Sequence, residues 1–116
     1  MNAPACITPF DVAQAQLEAY NTQDLDGHCA CFADDVVVAD LNGAVTVSGL
    51  AAYRAKYEQV FADFPQNHAE LLNRIVVGNR VIDHERVKRS PDADPFEVAA
   101  IYTVADAKIV RVDFVK

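Results

Sequence analysis

Two periodicities divide the chain: up to Phe64 the apolar positions mostly recur three and four apart, and from Asn67 they alternate. Thr8-Pro9-Phe10-Asp11 predicts a helix start. Thr8 can cap, Pro9 suits the first helical position and Asp11 can close a capping box. Phe10, Ala13, Leu17 and Tyr20 then share a face, and the helix should fade at Asn21 or Thr22. Asp24 is placed to cap a second helix from Leu25 to Ala33, burying Leu25, Cys29 and Phe32. Asp34-Asp35 predicts a turn, and Val36 to Leu41 a β-branched strand. Asn42-Gly43 is a hairpin signal, with Ala44 to Val47 as the return strand. Ser48 is expected to cap a third helix, Leu50 to Phe64. Its stripe is Leu50, Tyr53, Tyr57, Val60, Phe61 and Phe64, with Arg54, Lys56, Glu58 and Asp63 left to solvent, and Pro65 stops it.

Four strands are predicted beyond it: His68 to Val77, Val81 to Lys88, Phe96 to Val104 and Lys108 to Val115. Gly78-Asn79 and Asp106-Ala107 mark tight turns, and Ser90 to Pro95 a solvated loop. Three helices around a short hairpin, then four long antiparallel strands, predict an α+β domain. A curved antiparallel sheet wrapped by the helices would leave a concave pocket between the layers.

Length and composition agree with that picture. The 116 residues suit one domain over residues 1–116, and 52% hydrophobic with 23% charged residues suits a packed core. A net charge of −7, with no basic run longer than Arg86 to Arg89, argues against a nucleic-acid partner. No apolar run approaches the ~20 residues of a membrane helix. The opening MNAPACITPFD has no basic leader, so a cytoplasmic location is expected. Cys6, Cys29 and Cys31 show no zinc-site spacing and read as reduced, small apolar residues. No metal site and no cofactor is expected, since two-His helical motifs and Gly-rich phosphate loops are both missing.

The chemistry is expected around one acid. Val36, Val38 and Asp40 share a strand face if alternation holds, and an acid on an apolar face is a candidate proton carrier. The strand Val81 to Val87 is unusually polar: Ile82, His84 and Arg86 fall on one face, Asp83 and Glu85 on the other. Glu70, Arg74, Asp83 and Glu85 are expected to form cross-strand charge pairs on the outer sheet face. His28 and His68 read as solvated.

The element order, with D-L-D-G near the second helix, F-A-D-D at its end and S-G opening the third, resembles the nuclear-transport-factor-2-like superfamily. Within it the chain is most similar to the SnoaL-like and ketosteroid-isomerase-like proteins. The resemblance covers nearly the whole chain. It implies a cone-shaped α+β fold that hosts isomerases, cyclases, dehydratases, epoxide hydrolases and non-enzymes. It implies a catalytic base at Asp40, five residues after F-A-D-D, and a pocket tyrosine at Tyr57. Where the isomerases carry an oxyanion-holding tyrosine this chain has Gln16, and Tyr102 takes the place of their protonated Asp. These departures argue against steroid isomerisation. The family comparison also turns His84 and Arg86 toward the pocket, a choice that a β-bulge would reverse.

The resulting expectation is a cofactor-independent enzyme of the isomerase or lyase kind, acting on small hydrophobic or carbonyl-bearing molecules by proton transfer, cyclisation or dehydration. Asp40 would be the base, His84 would relay the proton, and Tyr57, Tyr102, Gln16 or Arg86 would hold the oxyanion. Phe61, Leu71, Val98, Ala100, Val110, Val112 and Phe114 would form dry walls. The alternative is a non-catalytic ligand-binding or dimeric accessory domain, with Asp40 and Arg86 as a buried ion pair. A homodimer through the open sheet face is expected in either case.

Overall fold

A computed structural model describes residues 7–116. Cys6 and the opening segment read above lie outside them. The helices are α1 (Pro9–Asn21), α2 (Leu25–Cys29) and α3 (Leu50–Asp63). The strands are β1 (Phe32–Asp40), β2 (Val45–Ser48), β3 (His68–Val77), β4 (Arg80–Lys88), β5 (Phe96–Ala105) and β6 (Lys108–Val115). The capping box forms as the sequence suggests: Thr8 Oγ1 accepts from Asp11 N, and Asp11 Oδ2 accepts from Thr8 N. The cap of α3 differs. Gly49, not Ser48, stands at the N-cap with φ 89° and no side-chain bond, because the chain must turn sharply out of β2.

The six strands form one open sheet in the order β2-β1-β6-β5-β4-β3. The sheet is mixed rather than purely antiparallel, since β1 runs parallel to β6. Asp34-Asp35 does not end in a turn. It is taken up within β1, where the register against β6 slips between Phe32 and Val37. The turns at Gly78-Asn79 and Asp106-Ala107 form, the latter with φ of 51° and 62° at its two residues, the left-handed geometry a two-residue hairpin requires.

Helix α1 packs on β3, β4 and β5, and α3 packs across β1 and β2. The principal core lies between these layers, built on Val12, Phe32, Val36, Val38, Tyr53, Val81 and Ile109. A second cluster, Leu17, Ala69, Val87 and Val98, closes the other end under α1. Phe10 falls outside this packing and lies exposed with the Arg74 guanidinium over its ring. Phe64 is likewise exposed at the end of the α3 stripe.

Candidate active site

The inner face of β4 decides the chemistry of the interior. Val81, Asp83, Glu85 and Val87 are buried, while His84 and Arg86 lie on the outer face. This reverses the expected orientation. Val81 and Val87 join the two core clusters and so take the inner face, and the acids follow at spacing two, a desolvation cost that Asp83 offsets by pairing with Arg74. A bulge in β3 between Leu71 and Asn73 then brings Arg74 onto the same side, directly opposite Asp83. Asp83 is 0% exposed and takes a bidentate bond from Arg74 at 2.7 and 3.0 Å. Arg74 also donates to Gln14 Oε1 at 2.8 Å. The expected charge pairing of Arg74 is therefore present, but inside the fold. On the outer face Arg86 pairs with Glu70 and Glu97, and His84 Nε2 lies 2.6 Å from Glu97. His84 and Arg86 thus stand away from the interior.

Glu85 has no such partner. It is 7% exposed, and burial first, then the charge of Asp83, pushes its carboxyl up to about 7 against the pull of Arg74. It faces a cavity of ≈ 180 Å³. At about 30 Å³ per water that is roughly six waters, close to the ~150 Å³ that accommodates benzene. From the helices come Gln16, Leu17, Tyr20, His28, Tyr53, Tyr57 and Val60; from the sheet come Ala69, Glu85, Val87, Val98, Tyr102, Val112 and Phe114. Lys56, Arg89, Phe96 and Lys116 complete the lining, and the exposure of Lys56, Phe96 and Lys116 marks the mouth.

The polar groups of the cavity are held in place. Gln16 Nε2 donates to Ala13 O at 3.0 Å and to Tyr102 Oη at 3.2 Å. Tyr102 therefore keeps its own O–H free to donate, and burial pushes its phenol well above the ordinary value, so it stays protonated. His28 is 1% exposed, not solvated as expected. Its Nδ1 lies 2.9 Å from Gln16 O, which can only accept, so Nδ1 carries the hydrogen and Nε2 accepts from Tyr53 Oη at 2.8 Å. Burial pushes this imidazole down to about 4, so it is neutral at pH 7 and orders α1 against α3. Tyr57 packs on Tyr53 with ring centroids 4.5 Å apart, and burial raises both phenols.

Several expected site residues are elsewhere. Asp40 is exposed at the end of β1, in a shallow groove with Leu41, Phe114, Val115 and Lys116. It meets the cavity only through Phe114 and Lys116, which line both. Alternation does carry Val36 and Val38 inward, but the register against β2 shifts between Val38 and Ala39, both are buried, and Asp40 follows them exposed. Phe61 packs on Tyr20, Leu71 joins the second cluster, Ala100 sits in the core and Val110 is half-buried; none of these four lines the cavity. Gln16, Tyr57, Tyr102, Val98, Val112 and Phe114 do line it. Glu85 is the residue that sequence reasoning missed. His68 is exposed, and Cys29 and Cys31 are free thiols. Among the described residues no group of three or more His, Cys, Asp or Glu is placed to hold a metal, and no helix is long and apolar enough to cross a membrane.

Three helices laid on one side of an open, curved six-stranded sheet, with a lined cavity between, define a cone-like α+β protein with an interior site. Residues 13–112 match the model of the SnoaL-like domain, and the chain belongs to that family. It is similar to a crystal structure of an uncharacterized cystatin-fold protein from Novosphingobium aromaticivorans, with 34% identity and a TM-score of 0.89 over 96% of this chain and 100% of that one. It is also similar to a candidate polyketide cyclase from Sinorhizobium meliloti, with 25% identity and a TM-score of 0.76 over 90% and 94% of the two chains. A candidate ketosteroid isomerase from Kribbella flavida shares the fold, with 15% identity and a TM-score of 0.77 over 91% and 75%. No curated protein matches the chain.

Proposed function

We propose that this protein is a cofactor-independent enzyme that moves a proton on a small, carbonyl-bearing hydrophobic molecule, with Glu85 rather than Asp40 as the acid–base group. The observation that carries this reading is a carboxyl group inside a ring-sized cavity, raised to about 7 by burial and by Asp83. Such a group can both take and return a proton near neutral pH. Tyr102, oriented by Gln16, is the donor to the carbonyl oxygen as negative charge develops there. The apolar walls from Val98, Val112 and Phe114 strengthen both interactions by keeping water out. The cavity size favours one ring over a fused polycycle. The candidate cyclase and candidate isomerase among the similar structures suit acid–base chemistry of this kind.

The Asp40–Arg86 ion pair that would have favoured a binding module does not form: Arg86 pairs with Glu70 and Glu97, and Asp40 is exposed at the end of β1. The outer sheet face, with Ile75 56% exposed and Ile82 and Ile101 beside it, is the surface for a homodimer in this proposal. The test is solvent-deuterium exchange into small cyclic ketones, followed by NMR. Exchange should be enzyme-dependent, should fall by ~100-fold or more in Glu85→Gln, and should persist in Asp40→Asn. Undiminished exchange in Glu85→Gln, or its loss only in Asp40→Asn, refutes the assignment.

A further inference from the structure

Among the described residues, the mouth of the cavity gathers three cations outside any ion pair. The net charge is −7, yet Lys56, Arg89 and Lys116 all line the same opening. Each stands over an aromatic ring. Lys56 Nζ lies 5.6 Å from the Tyr57 centroid and Lys116 Nζ 5.6 Å from that of Phe114. Arg89 Cζ lies 5.1 Å from Phe96 and 5.4 Å from Phe64. Such stacking fixes a cation without neutralising it. Arg89 is also tethered by neutral acceptors, Asn67 Oδ1 at 3.1 Å and Tyr20 Oη at 3.4 Å. Among the described residues, none of the three cations has a carboxylate within ion-pair distance.

Their proximity has a cost. After burial, the charges of Lys116 and Arg89 are what lower the Lys56 ammonium, and Asp40 at the rim opposes them. Three like charges around a low-dielectric opening repel one another unless an anion lies between them. Among the described residues, the acidic side chains beside this opening are Asp40, outside in its groove, and Glu85, within.

We propose that the cavity selects a single-ring carboxylate, its ring among the aromatic and aliphatic walls and its carboxylate at the mouth between Lys56, Arg89 and Lys116. This rests on the reading of the cavity as the substrate site and names the substrate class. Arg89 offers the planar fork that carboxylates take, and the two ammonium groups add charge without demanding one geometry. Glu85 must be protonated for such an anion to enter freely, so binding weakens as pH rises through about 7.

The test is calorimetric titration of the protein with benzoate, benzamide and benzyl alcohol at low salt and about pH 6. Benzoate should bind at least ~10-fold more tightly than either neutral analogue. That preference should shrink in high salt and fall several-fold in Lys56→Gln, whose side chain is exposed and whose melting temperature should match the parent. Arg89→Gln should remove most of it. Equal affinity for benzoate and benzamide would overturn the carboxylate selection while leaving a ligand cavity in place. Binding of none of the three would overturn both the selection and the cavity reading.

Discussion

Glu85→Gln tests the environment of the proposed acid without needing a substrate. In the folded chain the Glu85 carboxyl stands at about 7 against an ordinary value of 4.5. Between those values the folded chain holds a proton that the unfolded chain has released. The contribution is therefore full below the unfolded value and is lost as pH rises through the folded one. A rise of that size corresponds to about 3 kcal/mol at alkaline pH. His28 works the other way. It is buried neutral, pushed from 6.5 to about 4, so stability is lost as pH falls through that range. The two slopes largely cancel where the ranges overlap, and a parent curve alone would look flat there. The readout is the difference between parent and variant, since glutamine is close in shape, carries no charge and loses no hydrogen bond that Glu85 makes. Urea unfolding followed by circular dichroism, repeated from about pH 5 to about pH 9, supplies both curves. The variant should gain on the parent as pH rises, reaching about 3 kcal/mol, or roughly 10 °C in Tm. Parallel curves across that range would show that Glu85 titrates as an ordinary surface acid, and the desolvated-acid argument would fail.

Three further outcomes are expected. Tyr102→Phe leaves the Gln16 Nε2 bond unmet, costing about 1 kcal/mol of stability, and slows proton transfer on a ketone by ~100-fold; exchange kinetics check it, and an unchanged rate removes Tyr102 from the site. Asp83→Asn strands the buried Arg74 and costs about 3 kcal/mol or more, and it lowers the Glu85 value because the Asp83 charge is one of the causes that raise it; NMR titration of the variant reads both signs. Ile101→Lys on the outer sheet face converts the proposed dimer to monomer in light scattering with little change in monomer stability, and a parent that is already monomeric at micromolar concentration contradicts the dimer.

The architecture was largely legible because its signals are local. The Thr8 capping box, Asn42-Gly43, Gly78-Asn79 and Asp106-Ala107 each act within four residues, and the helices and strands between them follow. The lining of the candidate site was half legible. Gln16, Tyr57 and Tyr102 line the cavity, as their places in the resemblance implied. Glu85 was hidden by a face choice that the sequence itself could have settled. Val81 and Val87 share parity with Asp83 and Glu85, while the other parity offers Ile82 with His84 and Arg86, so two apolar residues stand against one. The bulge that turns Arg74 inward has no comparable sign, since Leu71 and Leu72 look like ordinary strand residues. His28 follows Leu25 by three within α2, so helical spacing already placed it beside an apolar residue of the inner face. Asp40 misled for another reason. The register shift between Val38 and Ala39 interrupts the alternation on which its inward direction rested, and no residue there marks it in the sequence.

The central claim is that a carboxyl group in the cavity wall can carry a proton near neutral pH. Carbon-13 NMR titration of the Glu85 side-chain carboxyl measures this directly. A midpoint near 7, moving down in Asp83→Asn, is the expected result. A midpoint near the ordinary 4.5 would contradict it.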